Sequence, residues 1–230
     1  MKTRIIGDVH GKFHAYKERI QNIDSSIQLG DFGFNDTWKK LSQHKINHQR
    51  HKIIPGNHDD YNNINDLYTF GKDYGNVSFN DFNFFFLRGA WSIDQRHRTI
   101  GISWWSQEEL EYKSLQMAIE EYCDTKPEIV ITHECPGDYT GISVMMFKKS
   151  WINNRTGLAL QNMWNYHKPK LWIFGHWHRN IVMDIKETTF ICLDELDYVE
   201  YDSEKYIEWN IIKIKEQIQK LYNKRYPMKW

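Results

Sequence analysis

Lys170-Leu171-Trp172-Ile173-Phe174-Gly175-His176-Trp177-His178 is the stretch whose reading decides how the rest of the chain is taken. Its first five residues form an apolar run of strand length. The glycine that follows lets the backbone turn sharply, so that two imidazoles project beyond a strand end. Two histidines alone hold a divalent ion poorly, and by themselves they read as a pair of satisfied histidines in a turn. Partners must come from other strand ends.

Upstream, three more apolar runs close on polar residues. Thr3 to Gly7 delivers Gly7-Asp8-Val9-His10-Gly11, Ser26 to Leu29 delivers Gly30-Asp31-Phe32-Gly33, and His51 to Ile54 delivers Pro55-Gly56-Asn57-His58-Asp59. Helical stretches from about Lys12 to Asn22 and Asp36 to Asn47 separate them, and Glu128 to Thr132 is a further buried strand ending in His133. The alternation predicts an α/β fold, in which ligands bind beyond the carboxyl ends of strands.

Between Tyr68 and Ile102 short aromatic runs, among them Asn83-Phe84-Phe85-Phe86-Leu87 and Arg98-Thr99-Ile100-Gly101-Ile102, predict sheet. Helices are expected over Gln107 to Cys123 and Arg155 to His167, a loop over Glu134 to Asn154, and a hairpin over Ile181 to Ile185 and Thr188 to Leu193. A last amphipathic helix spans about 203–225, with Asp202 and Ser203 as candidate caps. Its stripe Ile207, Ile211, Ile214, Ile218 and Leu221 has heptad spacing, and two to three heptads favour packing on the chain's own core over a free coiled coil. The expectation is a monomer or homodimer and one domain over 1–230, with no repeat or linker.

Thirty basic residues balance thirty acidic ones in 230, so no overall field favours a nucleic-acid polymer or an anionic membrane. Affinity for phosphate must be local. Cys123, Cys135 and Cys192 are scattered and form no Cys-x-x-Cys pair. With no run of spanning length and no signal-like start, the expected location is cytoplasmic.

Collected in order, the strand-end residues are Asp8, His10, Asp31, Asn57, His58, His133, His176 and His178. Oxygen ligands mixed with imidazoles suit Mn, Fe, Zn or similar divalent ions, whereas thiolates would have pointed to structural zinc. The blocks Gly7-Asp8-x-His10, Gly30-Asp31, Gly56-Asn57-His58-Asp59, Thr132-His133 and Gly175-His176-x-His178, in that order, resemble the calcineurin-like metallophosphoesterase superfamily. Each is weak alone; their joint occurrence at five strand ends is specific.

That resemblance implies a four-layer α/β/β/α sandwich of two mixed sheets with flanking helices and a metal site at strand carboxyl ends. It implies two divalent metal ions, Mn first, with Fe, Zn, Ni or Mg as others: Asp8, His10 and His178 on one, Asn57, His133 and His176 on the other, Asp31 bridging. A hydroxide activated between the metals would attack phosphorus in line. His58 would protonate the leaving oxygen, and Asp59 would orient it and hold it cationic, unless Asp59 is simply a helix N-cap.

The superfamily's protein phosphatases resemble Gly-Asp-x-Val-Asp-Arg-Gly at the second block and Gly-Asn-His-Glu at the third. Here Asn35 stands in place of the arginine and Asp59 in place of the glutamate. A phosphodiester or phosphomonoester of a small, nucleotide-like molecule is the better expectation, with a DNA or RNA nuclease next and a non-catalytic scaffold on the same fold third. Arg88, Arg96, His97 and Arg98, lying among tryptophans, are candidate substrate contacts. Trp104 and Trp105 read as packing, Cys135 as a small buried residue, and Trp177 as a pin for its loop.

Overall fold

The computed structural model describes residues 1–137 and 154–225. Most of the loop expected between Glu134 and Asn154 lies outside them. In chain order the elements are β1 (Lys2–Ile6), α1 (Phe13–Arg19), β2 (Ser25–Gln28), α2 (Thr37–Gln43), β3 (His51–Ile53), β4 (Tyr74–Phe79), β5 (Phe82–Leu87), α3 (Tyr112–Thr125), β6 (Ile129–Thr132), α4 (Arg155–Tyr166), β7 (Leu171–Phe174), β8 (Ile181–Ile185), β9 (Thr188–Cys192), β10 (Tyr198–Asp202) and α5 (Ile207–Arg225).

Among the described residues the strands form two mixed sheets, ordered β10-β1-β2-β3 and β4-β5-β6-β7-β9-β8. The two-residue side-chain period sorts their apolar runs into layers. Phe84, Phe86, Ile129, Ile131, Leu171 and Ile173 face inward and meet Ile5, Ile27 and Val199 of the smaller sheet. Their neighbours Phe85, Val130, Trp172 and Phe174 point outward onto Leu115, Tyr122, Leu160 and Met163 of α3 and α4. On the far side Ile6 and Ile53 pack against Phe13, Tyr16, Trp38 and Leu41 of α1 and α2. The result is the expected helix–sheet–sheet–helix stack.

An indole such as Trp172, fully buried, removes about 200 Å² from water, roughly 5 kcal/mol before chain entropy is subtracted. Its N–H is satisfied by Thr132 Oγ1 at 2.9 Å, so that burial leaves no orphaned donor. The stripe of α5 packs on the inter-sheet core, with Ile207, Ile214 and Ile218 buried and Ile211 and Leu221 partly so. No helix among the described residues is long and apolar enough to cross a membrane.

Four sequence expectations need correction. Arg98 to Ile102 is not a strand: Ile100 and Ile102 are 76% and 67% exposed, and only a single bridge joins Ile100 to Trp104. With neither isoleucine buried, nothing holds the run extended against a sheet. The helix read from Gln107 begins five residues later, at Tyr112, because Ser106–Glu108 forms its own single turn whose Glu108 side chain points inward. β10, antiparallel to β1, was not expected; it takes up Asp202, so the last helix, read from 203 with Asp202 and Ser203 as caps, begins only at Ile207.

Candidate metal centre

The site lies where both sheets end together. β1 and β2 run parallel, and the loops leaving them are zipped by Val9 N and His10 N to Asp31 O, at 3.1 and 2.7 Å, and Gly11 N to Phe32 O at 2.9 Å. The turn after β7 crosses to the other sheet: His176 N donates to Asp8 Oδ1 at 3.1 Å. His58 N donates to Asp31 Oδ1 at 2.6 Å. One carboxylate from each of β1 and β2 therefore fixes a loop that begins elsewhere.

Sharp turns deliver these side chains. His10, Asp31, His176 and His178 all have positive φ, between 47° and 65°, a region that disfavours side-chain-bearing residues. Strain of this kind, about 1–3 kcal/mol each, concentrates where chemistry needs a particular side chain. Gly56 shows the crowding: a Cβ there would collide with Asp31 Oδ1 and His133 Nε2, so the third loop can pass only as glycine.

The ligand-type atoms gather in two groups sharing Asp31: Asp8, His10, Asp31 and His178, and Asp31, His133 and His176, each within 4.8 Å. In the first, His10 Nε2 and His178 Nε2 are 2.9 Å apart and His178 Nε2 is 3.0 Å from Asp8 Oδ2. In the second, His133 Nε2 is 3.1 Å from Asp31 Oδ1 and 3.0 Å from Asn57 Oδ1. His133 Nδ1 donates to Leu29 O at 2.7 Å, which fixes the tautomer and leaves Nε2 turned to the cluster. Asp8 Oδ2 and His176 Nδ1 are buried and make no hydrogen bond among the described residues.

Electrostatics says the same. Burial alone would raise Asp8 and Asp31, but the surrounding histidines hold Asp8 down at about 2 and Asp31 well below the usual carboxylate range. Burial works against a charge on His133, yet Asp31 and Asp8 push it up to about 10. His176, desolvated and beside that charge, falls to about 3. Carboxylates and imidazoles that converge on one another, with protons held on His133 and His10 by the carboxylates, are an arrangement that cations relieve, and the oxygen and imidazole donors fit hard to borderline divalent ions.

His58, half-buried, stands beside the first group, its ring 5.2 Å from that of His10. Arg98 covers it: its guanidinium lies against both ring nitrogens, 2.8 Å from Asp94 and 3.2 Å from Asn57 O. Asp59 does not touch His58. Its carboxylate turns inward and accepts from Gly33 N, Trp38 Nε1 and Gly56 N at 2.9, 3.1 and 2.7 Å, bracing two of the site's loops. Nor is His58 held cationic: burial, opposed by Asp31 and aided by Arg98, lowers its pKa.

Arg88 also corrects an expectation. It pairs with Asp73, donates to Tyr61 Oη and Gln107 O, and stacks over Tyr61, so it anchors its segment. Arg96 and His97 are exposed on a one-turn helix; of the four, Arg98 is the one set against His58.

Two carboxylates escaped sequence reasoning. Glu108, 2% exposed, accepts from Ser92 Oγ, which itself accepts from Asn57 Nδ2 at 3.0 Å. Glu134, 1% exposed, accepts from Cys135 N at 2.8 Å and Trp177 Nε1 at 2.9 Å and lies 3.7 Å from His176 Nε2. Only Glu134 had a signal, its place directly after a candidate ligand. Cys135 and Cys192 are buried beside the site.

Next to the cluster opens a cavity of about 500 Å³ lined by His10, Phe34, Asn35, Thr37, Lys40 and His58. A larger one, about 780 Å³, is lined by Tyr61, Lys72, Arg88 and Glu121 and by none of the cluster's donors.

No curated protein matches the chain in sequence. A dimetal phosphatase from Danio rerio superposes with a TM-score of 0.50 at 13% identity, over 90% of each chain. A Staphylococcus aureus protein, provisionally a 5'-nucleotidase and crystallised with alpha-ketoglutarate, gives 0.50 at 14% identity over 95% of this chain. This chain spans 58% of that protein's length. Likeness at such identity is likeness of fold. The model of one family, calcineurin-like phosphoesterase, matches residues 1–180, from β1 through the His176–His178 turn and thus across every donor described above. The chain belongs to the calcineurin-like phosphoesterase family.

Proposed function

We propose that the chain is a metal-dependent phosphoesterase hydrolysing a small, nucleotide-like phosphate ester, monoester or diester. Asp8, His10 and His178 hold one divalent cation, Asn57, His133 and His176 the other, and Asp31 serves both. The observation carrying this is the convergence of donors in two groups around Asp31, with Asp8 Oδ2 and His176 Nδ1 buried and unsatisfied. A scaffold that bound no metal would have no use for such a set. When bound, two cations supply an acidified water and offset the charge that gathers on the phosphoryl oxygens. Manganese is the first choice, and Fe, Zn, Ni and Mg suit the same donors.

His58, neutral in the metal-free fold, takes up a proton beside an anionic phosphate and hands it to the leaving oxygen. In the structure Arg98 lies against that ring and donates to its one acceptor nitrogen, its guanidinium itself shared with Asp94. A phosphate ester in the cleft offers Arg98 a stronger, charged acceptor, and that exchange frees the ring of His58 to face the leaving group. The adjoining cavity suits a nucleoside-sized leaving group, with the half-buried Phe34 as a stacking face and Lys40 on its wall. The balance of thirty basic and thirty acidic residues disfavours a long nucleic acid.

The test is a panel of cyclic nucleotides, nucleoside monophosphates, dinucleoside polyphosphates, phosphopeptides and short oligonucleotides, each with Mn, Fe, Zn, Ni or Mg. Metal-dependent turnover of a nucleotide is expected and is abolished by chelation. Turnover of nothing with any metal would sink the proposal, and a clear preference for phosphopeptides or oligonucleotides would overturn the substrate class.

A further inference from the structure

We infer that Glu108 is a positioning residue for the buried metal half, acting through Ser92 to keep the carbonyl oxygen of Asn57, and not its amide nitrogen, facing the cation. The inference rests on the two-cation assignment above and adds to it a pair of residues from a segment with no ligand of its own.

An asparagine side chain has two nearly isosteric ends, and only the oxygen can ligate a cation. Asn57 is 1% exposed, so water does not decide between them. Its Oδ1 stands 3.0 Å from His133 Nε2 on the cluster side, and its Nδ2 stands 3.0 Å from Ser92 Oγ on the other. A hydroxyl alone would not fix this orientation, because Ser92 can either accept from an NH2 group or donate to a carbonyl.

Glu108 removes the ambiguity. Its Oε2 accepts the hydrogen bond of the Ser92 hydroxyl, and its Oε1 accepts from Trp105 N at 3.3 Å and lies 3.6 Å from Arg98 Nη1. As a carboxylate it can only accept. The chain then has one sense, Asn57 Nδ2–H to Ser92 Oγ–H to Glu108, and Oδ1 is left to the metal side. Burial pushes the Glu108 carboxyl up to about 8; the donors Ser92, Arg98 and Trp105 oppose this, and a cation beyond Asn57 favours the anion further.

The whole device is carried by the stretch from Gly89 to Glu108, tied by Gly89 N to Pro55 O at 2.8 Å and closed by Ala90 N to Glu108 O at 3.0 Å. One carboxylate thus steadies a proposed ligand through Ser92 and, through Arg98, borders the proposed proton donor.

Titration of the metal-free protein with Mn by calorimetry, without substrate, tests this independently of any turnover. The unmodified chain takes up two ions. Ser92→Ala and Glu108→Gln each weaken one of the two sites by about 10- to 100-fold and leave the other unchanged. Should Glu108→Gln fail to fold, Ser92→Ala carries the test alone. In an Asn57→Asp background, where both ends of the side chain are oxygens, Ser92→Ala costs less than about twofold. Unchanged affinity in the single variants, equal weakening of both sites, or a full Ser92→Ala effect in the Asn57→Asp background would overturn the inference. Uptake of no metal by the unmodified chain would instead strike at the two-cation assignment.

Discussion

The two halves of the donor cluster are built differently. In one, His10 and His178 are 22% and 46% exposed at the side chain and face chiefly each other and Asp8. In the other, Asn57 and His133 are 1% and 0% exposed and His176 11% at the side chain, and each has a support behind it: Ser92, Leu29 O and Glu134. On the proposed two-cation reading, a braced, desolvated half would hold an ion in one geometry and give it up slowly, while an open half would exchange water and admit substrate. That reading gives retention to the buried half and turnover to the exposed one, with Asp31 shared between them.

Asp31→Asn is the most damaging way to break that division, because it removes the carboxylate common to both groups. Losing several kcal/mol of charge stabilisation corresponds to about three decades or more in turnover. Metal analysis of the purified variant, expected well below two ions per chain, distinguishes lost ligation from misfolding. His58→Ala comes next. Its imidazole is not among the donors of either group and its backbone N–H to Asp31 survives the change, so ion content stays at the unmodified level while turnover of a chromogenic phosphodiester falls roughly 10²- to 10⁴-fold. Full activity would remove His58 from the mechanism, and lost metal would make it a support of the exposed half.

These two residues also mark how far the sequence could be read. Each donor follows a short apolar run in its own block, so Asp31, like Asp8 and His133, is legible as a strand-end residue before any contact is known. Asp59 was misassigned for the opposite reason. Neighbours in a tight turn point in different directions, and its carboxylate goes to Gly33, Gly56 and Trp38 while His58 faces the cleft. Arg88 and Arg98 look alike in sequence, yet one is tied to Asp73 and the other to His58. Glu108 and Ser92 were invisible, since their meaning lies in a partner 35 or more residues distant. β10 escaped because Tyr198-Val199-Glu200-Tyr201 is a half-polar edge strand, recognisable only once it lies on β1.

Proton release sharpens the comparison without altering a residue. In the metal-free fold Asp31 and Asp8, against the effect of burial, push His133 up to about 10, above the roughly 6.5 of an unfolded histidine. Its protonated ring therefore stabilises the metal-free protein. That contribution is complete below pH 6.5 and is lost as pH rises through 10. An ion entering the buried half must displace this proton. At pH 8.5, calorimetry in buffers of different ionisation enthalpy should show about one proton released as that half fills. Release unchanged in His133→Ala would mean that the proton sits elsewhere.

The smallest effect is also the most diagnostic of the exposed half. His178 has φ 49° and a half-exposed ring that meets His10 and Asp8, whereas His176 at φ 65° is locked between Asp8, Glu134 and Trp177. Glycine adopts such φ freely, relieving roughly 1–2 kcal/mol of strain against about 0.5–1 kcal/mol of added unfolded-chain entropy. His178→Gly should therefore stabilise the metal-free protein by about 0.5–1 kcal/mol in urea unfolding while weakening one metal site. At His176 the same change empties a packed position and should destabilise. If both glycine variants shift stability alike, the two halves are not braced differently and the division of labour drawn from them fails. If they shift in opposite directions, the strain at His178 is held only for the sake of the ion.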